Sequence, residues 1–265
     1  ALTLAKRTHS PALEAESLGA LGTLGRYQGD YALARQAYEQ ALQLYQTTGD
    51  RHGEAVVLLN LGVVFENQGD YATAGAHYEN SLRLRRQLGD RRGEGLALNN
   101  LGVVADSQGE YTKAIRSYEQ ALQIYQEIDD PWGQGYVLNN LAFDFRCQGA
   151  YAIARTYSEQ ALAVRRTIGD RDGESETLAF LSLIAQDLGE HEQAWALAQQ
   201  ALQIGRETGG RPQLGYSLTC LGRVGVAKGY LTEARAAYAE ALQLRRETGG
   251  APTRAPISAD PSVLP

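Results

Sequence analysis

The sequence contains few of the features that mark membrane, secreted or disulfide-stapled proteins. It has no methionine and only two cysteines among 265 residues. Cys147 and Cys220 show no CxxC or Cys/His ligand spacing, which excludes a disulfide scaffold and favours free thiols in a reducing compartment. No apolar run approaches the roughly 18 residues of a membrane span, and the first residues lack the pattern of a signal peptide. We therefore expect a cytoplasmic protein that neither spans nor is anchored in a membrane.

Charge and catalytic motifs are also sparse. The formal net charge is -6, from 25 basic and 31 acidic residues, so the chain has no basic surplus to hold DNA, RNA or an anionic membrane. The four histidines are scattered, and phosphate-binding loops, dinucleotide-binding glycine motifs and the HExxH zinc motif are missing. We expect no enzyme activity, no cofactor, no metal site, and no nucleic-acid or membrane partner.

What the chain does contain is a repeat of 40 residues that needs no gap in the alignment. One column of the repeat holds glycine in six successive periods: Gly29, Gly69, Gly109, Gly149, Gly189 and Gly229. Another holds leucine: Leu21, Leu61, Leu101, Leu141, Leu181 and Leu221. A period of 20 to 50 residues indicates stacked supersecondary units, each of which buries its apolar face against its neighbours.

Each period has the pattern of two helices. Within one period, apolar residues recur at helical spacing on both sides of Gly69. The pairs Gly69-Asp70 and Gly89-Asp90 supply a left-handed helix end followed by an N-cap acceptor, so they predict tight turns between helices. The repeat is therefore a helix-turn-helix unit.

The columns resemble the tetratricopeptide repeat. The motif is Leu61-Gly62-x-x-Phe65 followed by Gly69-x-Tyr71-x-x-Ala74-x-x-x-Tyr78-x-x-Ser81-Leu82. The standard unit has roughly 34 residues; this longer form is similar to the repeats of Pins-type polarity adaptors, kinesin light chains and large bacterial signalling proteins, although HEAT and armadillo repeats also reach this length. The resemblance implies an all-α fold, a right-handed α-solenoid of about six tandem units.

The predicted boundaries follow from the columns. Residues 1–250 form the array, in which residues 1–10 match the end of a preceding second helix and suggest a fragment of a larger protein. The complete units cover about 11–50, 51–90, 91–130, 131–170, 171–210 and 211–250. Residues 251–265 contain four of the seven prolines and are predicted to be a linker or an extended tail.

The resemblance implies a peptide-binding groove, because the first helix of each tetratricopeptide unit lines the concave face of the solenoid. Asparagine recurs on that face in three successive units, and its amide can bond the backbone of an extended peptide. The predicted amide contacts are Asn60, Asn99, Asn100, Asn139 and Asn140. The predicted apolar contacts are Val63, Val103, Tyr136 and Phe143, and the predicted charged contacts are Glu66, Asp106 and Arg146.

Each of these residues also has a structural interpretation. The asparagines could bond neighbouring helices, the valines could belong to the core, and the charged row could pair internally. We predict a non-catalytic scaffold in signalling that binds a peptide or partner segment. The alternatives are a sensor array that gates a missing effector domain, and a module that self-associates end to end because an array needs polar capping units to stay soluble.

Overall fold

The computed structural model describes residues 10–247 of the chain, and every secondary-structure element in that part is an α-helix. The helices are α1 Pro11–Tyr27, α2 Tyr31–Thr48, α3 Arg51–Asn67, α4 Tyr71–Leu88, α5 Arg91–Ser107, α6 Tyr111–Glu127, α7 Pro131–Cys147, α8 Tyr151–Thr167, α9 Arg171–Asp187, α10 His191–Thr208, α11 Arg211–Lys228 and α12 Leu231–Glu247. The all-α prediction is confirmed. Most of the predicted 1–10 segment and the whole predicted 251–265 tail lie outside the described residues.

The turns between helices lie where the Gly-Asp pairs predict them. Gly89 ends α4 with φ 70°, a left-handed conformation that suits a residue without Cβ. Asp90 then caps α5 by accepting a hydrogen bond from the backbone N–H of Gly93 at 2.9 Å. Asp129 is the described non-glycine residue with positive φ, at 52°, and it stands in the glycine column. Caps and turns thus hold the helix ends where the 40-residue period places them.

The described part of the chain divides into two compact units, with the boundary between Ile124 and Tyr125. In the first unit, α1 packs on α2, α3 packs on α4, and each second helix contacts the first helix of the next pair. The second unit repeats this scheme from α7 to α12, and α9 also contacts the first helices α7 and α11. Within each unit, tandem helix pairs therefore build the core, as repeat architectures require.

A glycine and a tyrosine meet inside several of the helix pairs. A Cβ atom added to Gly62 on α3 would lie 2.3 Å from the Tyr78 ring of α4, and Tyr78 is fully buried. The same pairing occurs between Gly222 and Tyr238. In the two repeats whose second helix carries a small residue instead of tyrosine, the first helix no longer carries glycine: Ala142 accompanies Ser158, and Ser182 accompanies Ala198.

Candidate functional site on the first helices

In the first unit, the predicted asparagines differ in their accessibility. Asn60 on α3 is half-buried, whereas Asn99 and Asn100 on α5 have no accessible surface. Asn99 donates from Nδ2 to Oδ1 of Asn100 at 3.3 Å. The Nδ2 of Asn100 is buried without a hydrogen-bond partner. A ligand can reach Asn60 directly, but it would have to displace neighbouring side chains to reach Asn100.

The residues that flank these asparagines are largely engaged inside the protein. Val63 and Val103 are buried. Glu66 accepts a hydrogen bond from the Tyr78 hydroxyl at 2.7 Å, and burial together with the Glu66 charge raises the Tyr78 pKa well above its usual range. Asp106 is half-buried. The bond from Tyr78 gives Glu66 a structural task in the charged row of the predicted groove.

In the second unit, polar side chains join successive first helices. Asn139 of α7 donates from Nδ2 to Oγ1 of Thr177 on α9 at 3.1 Å. Ser175 of α9 lies 3.1 Å from the hydroxyl of Ser217 on α11. Asn139 and Asn140 are both buried, and Asn139 thus ties two helices together.

Phe143 and Arg146, the remaining predicted contacts of α7, also meet α9. The Arg146 guanidinium lies 5.8 Å above the Phe180 ring, and its Nε donates to Asp187 Oδ2 at 2.5 Å. Phe143 and Phe180 have ring centroids 6.3 Å apart. Phe143 and Arg146 are half-buried and Phe180 is buried, and Asp187 balances the charge of Arg146.

Sequence reasoning missed two members of a row of three side chains in the second unit. Tyr136 of α7, Glu176 of α9 and Tyr216 of α11 occupy the same repeat position on successive first helices, and each is half-buried. Only Tyr136 was expected here. The spacing of 40 residues places the three side chains at one repeat position, but it does not show whether the Glu176 carboxylate lies in solvent or among buried groups.

Glu176 has an unusual electrostatic setting for a glutamate. Its side chain is 13% exposed, and its ion-pair partner is Arg165 Nη2 at 4.0 Å. Burial raises the Glu176 pKa; Arg165 opposes the shift, whereas Asp170 and Asp172 add to it. The Tyr216 pKa is raised well above its usual range, first by burial and then by Cys220 and Glu176. The carboxyl group therefore lies in a desolvated environment, with the Arg165 guanidinium at 4.0 Å and the charges of Asp170 and Asp172 acting on it as well.

The Arg165 guanidinium differs in its hydrogen bonds from Arg85, its counterpart two repeats earlier. Arg85 donates from Nη1 to Asp90 at 2.6 Å and from Nε to the Ser81 hydroxyl at 3.2 Å. Arg165 keeps the first bond, to Asp170 at 2.6 Å, but alanine stands at position 161. Its Nε and Nη2 are consequently buried without a hydrogen bond, and its guanidinium carbon lies 5.0 Å from the centre of the Tyr136 ring.

The described part of the chain contains neither a cluster of metal-ligating side chains nor a membrane-spanning helix. Residues 10–247 contain no grouping of three or more His, Cys, Asp or Glu side chains that could hold a metal ion. Over the same residues, no helix has both the length and the apolarity needed to cross a membrane. The first helices carry partly accessible polar and aromatic side chains, among them Asn60, Tyr136 and Tyr216.

Comparison with solved structures shows what the fold is similar to. Aspartyl phosphate phosphatase F from Bacillus subtilis is 16% identical with a TM-score of 0.74, covering 91% of this chain and 62% of that chain. The Rap conjugation gene regulator of the plasmid pLS20 in complex with the Phr* peptide is 12% identical with a TM-score of 0.68, covering 92% of this chain and 77% of the other.

A STAND protein with a tetratricopeptide repeat sensor from Pyrococcus horikoshii is 18% identical with a TM-score of 0.73; the match covers 90% of this chain but 38% of that protein. No curated protein matches the sequence. Sequence profiles described as tetratricopeptide repeat match residues 15–48, 53–127 and 134–207. These matches extend over more than half of the chain and confirm the resemblance, so the chain belongs to the tetratricopeptide repeat family.

Proposed function

We propose that the protein is a non-catalytic interaction module that binds an extended peptide or partner segment on its first helices. Membership of the tetratricopeptide repeat family supports this proposal, and so does the similar Rap regulator, whose structure contains the Phr* peptide. The likeness to a phosphatase, at 16% identity, concerns the fold and carries no activity over. The absence of a basic surplus, with a net charge of -6, favours a protein or peptide over nucleic acid or an anionic membrane.

The observation that carries the proposal is the unpartnered amide of Asn100. A buried N–H group without an acceptor costs about 1–3 kcal/mol, because it has lost water and gained nothing in return. Once neighbouring side chains are displaced, the carbonyl of an extended peptide would satisfy Nδ2 of Asn100, and half-buried Asn60 is accessible to the same kind of group in the same unit. In the second unit, Asn140 is the proposed equivalent contact.

Selection from a displayed library of random 12-residue peptides tests this function directly. We expect the wild-type protein to enrich a consensus, and the Asn60→Ala, Asn100→Ala double variant to bind synthetic peptides of that consensus at least tenfold more weakly. Asn80→Ala is the matched control, since Asn80 is an exposed asparagine of α4 whose Nδ2 bonds the Ala76 carbonyl within its own helix. Equal binding by the double variant, or no consensus at all, would contradict the proposal.

Self-association is a second candidate, and exposure in the last helix pair favours it. Tyr238 and Leu242 of α12 are 39% and 49% exposed. Tyr38 and Tyr78, which occupy the repeat position of Tyr238, are fully buried. A second copy of the chain could cover this apolar face. Sedimentation velocity over a hundredfold range of concentration would show a rising mass for the wild type and a constant mass for a Leu242→Glu variant.

The likeness to a sensor array also bears on the wider role. The similar STAND protein is described as having a tetratricopeptide repeat sensor, and this chain could report peptide binding to an effector in the same way. Cys147 and Cys220 are not joined in a disulfide, which fits the reducing cytoplasm as the place of action.

A further inference from the structure

We propose that Tyr136, Glu176 and Tyr216 form a subsite that binds a cationic group of the peptide ligand, with Glu176 as its counter-charge. The inference rests on the proposed peptide binding and specifies the chemistry of one position. The ligand group is an ammonium or guanidinium, and its source is a lysine or arginine side chain or the amino terminus of the peptide. The three residues, the aromatic-acidic row, share one repeat position on α7, α9 and α11.

The carboxylate of Glu176 lacks the partners that a buried charge requires. Among the described residues its contact with a cation is the 4.0 Å approach of Arg165 Nη2, which exceeds hydrogen-bond distance. Taking a carboxylate out of water is unfavourable unless a cation with good geometry compensates it. Because the side chain keeps 13% of its surface accessible, an incoming cation can reach the carboxylate without unfolding the site.

The surrounding charges favour a cation over an anion. Arg165 is already paired with Asp170 at 2.6 Å, and Arg146 is paired with Asp187 at 2.5 Å. Glu176 therefore shares the Arg165 guanidinium with Asp170, and the negative fields of Asp170 and Asp172 add to its own charge. An anion directed at the unpartnered Nε of Arg165 would meet the repulsion of these carboxylates.

The tyrosines on either side make the subsite selective for cations with an extended apolar stem. Aromatic rings attract an ammonium or guanidinium through their quadrupoles, by about 0.5–1 kcal/mol at exposed sites and more when the pair is desolvated. The chain itself uses this contact, since the guanidinium of Arg165 lies 5.0 Å from the Tyr136 ring centre. Tyr216 occupies the same repeat position on the next first helix, α11, and the two rings can contact the methylene groups of a lysine or arginine.

The test extends the random 12-residue peptide selection to Glu176→Gln, which removes the charge and keeps the shape. Glu159→Gln is the matched control, because Glu159 is an exposed glutamate on α8 of the same unit. Circular dichroism establishes that each variant is folded before selection. We expect the wild type and Glu159→Gln to enrich peptides with a basic residue at one fixed position. Glu176→Gln should lose that preference and keep the rest of the consensus.

Synthetic peptides of the selected sequence then identify the cation. Replacing the basic residue by citrulline or norleucine, and separately acetylating the amino terminus, should reveal one change that weakens wild-type binding at least tenfold. That same change should have no effect on Glu176→Gln, since the two perturbations remove one interaction. A consensus without a cation, or a basic preference that survives in Glu176→Gln, would overturn the subsite while leaving peptide binding intact. The absence of any consensus would instead overturn the proposed function, and the subsite with it.

Discussion

The contact between Gly62 and Tyr78 leads to a prediction in which one substitution has opposite effects at two positions. Gly62→Ala places a methyl group 2.3 Å, 2.6 Å and 2.9 Å from three atoms of the Tyr78 ring, well inside ordinary van der Waals distance. The ring cannot retreat easily, because it is fully buried and its hydroxyl bonds Glu66 at 2.7 Å. Gly19→Ala in the middle of α1 meets no atom within 4 Å.

The magnitudes follow from two opposing effects. Overpacking a tight core costs about 1–3 kcal/mol, and the contacts at Gly62 place it near the upper end of that range. Replacing glycine by alanine inside a helix contributes up to about 1 kcal/mol in the other direction. We therefore expect Gly62→Ala to lower the free energy of unfolding by about 2 kcal/mol. Gly19→Ala should raise it by about 0.5–1 kcal/mol, since only the helix preference operates there.

Urea denaturation followed by circular dichroism at 222 nm measures both effects, and a double-mutant cycle identifies their cause. In a Tyr78→Ser background, which reproduces the small residue found at Ser158, Gly62→Ala should become neutral or stabilising because the ring is gone. If Gly62→Ala is as stable as the wild type, or if its effect is unchanged in the Tyr78→Ser background, then the ring contact does not determine the glycine column.

Three further predictions concern buried charge, pH and thiol reactivity. Asp90→Asn should destabilise the fold by about 3 kcal/mol, because it leaves the buried guanidinium of Arg85 without its counter-charge. Arg85→Met should lower the free energy of unfolding by less. Urea midpoints that rank the two variants the other way would refute this reasoning. Burial lowers the His77 pKa in the folded state. The contribution of His77 to the free energy of unfolding should therefore be fully present above pH 6.5, its unfolded pKa, and should fall as the pH drops below that value. His77→Gln should make the melting temperature less dependent on pH in this range. Exposed Cys147 should react at once with Ellman's reagent. Cys220 is buried, and burial raises its pKa to about 12, so it should react only when the protein unfolds. Equal reaction rates for the two thiols would contradict the burial of Cys220.

The helices were predictable because their determinants are local and repeat every 40 residues. Gly69 and Asp70 mark the turn between α3 and α4, and the structure has that turn with Gly69 at φ 79°. The glycine and tyrosine columns were equally visible in the sequence. Their contact was not, because it depends on how closely two helices approach each other, and spacing along the chain does not contain that distance.

The site was predictable in its position along the repeat but not in its burial. Asn60 and Asn140 occupy one repeat column on first helices, yet Asn60 is half-buried and Asn140 is buried. Asn139 bonds Thr177, 38 residues away, and that bond depends on the register between α7 and α9, which the repeat column does not contain. Glu176 was missed because its burial, the largest cause of its raised pKa, is not visible in the repeat column; Asp170 and Asp172 of its own segment add to the shift.

The second unit lacks some side-chain hydrogen bonds that the first unit has within its repeats, and it has polar bonds between successive first helices. Ala150 and Glu190 occupy N-cap positions without a side-chain cap, and Arg165 lacks the hydroxyl that Arg85 has in Ser81. Polar bonds between successive first helices occur in the same stretch: Asn139 with Thr177, Arg146 with Asp187, and Ser175 with Ser217. These bonds lie at the interfaces between repeats, and such interfaces supply the term that makes repeat arrays cooperative. A ligand that contacts Tyr136, Glu176 and Tyr216 would bridge these same interfaces, so its binding should stabilise α7, α9 and α11 together and not one helix alone.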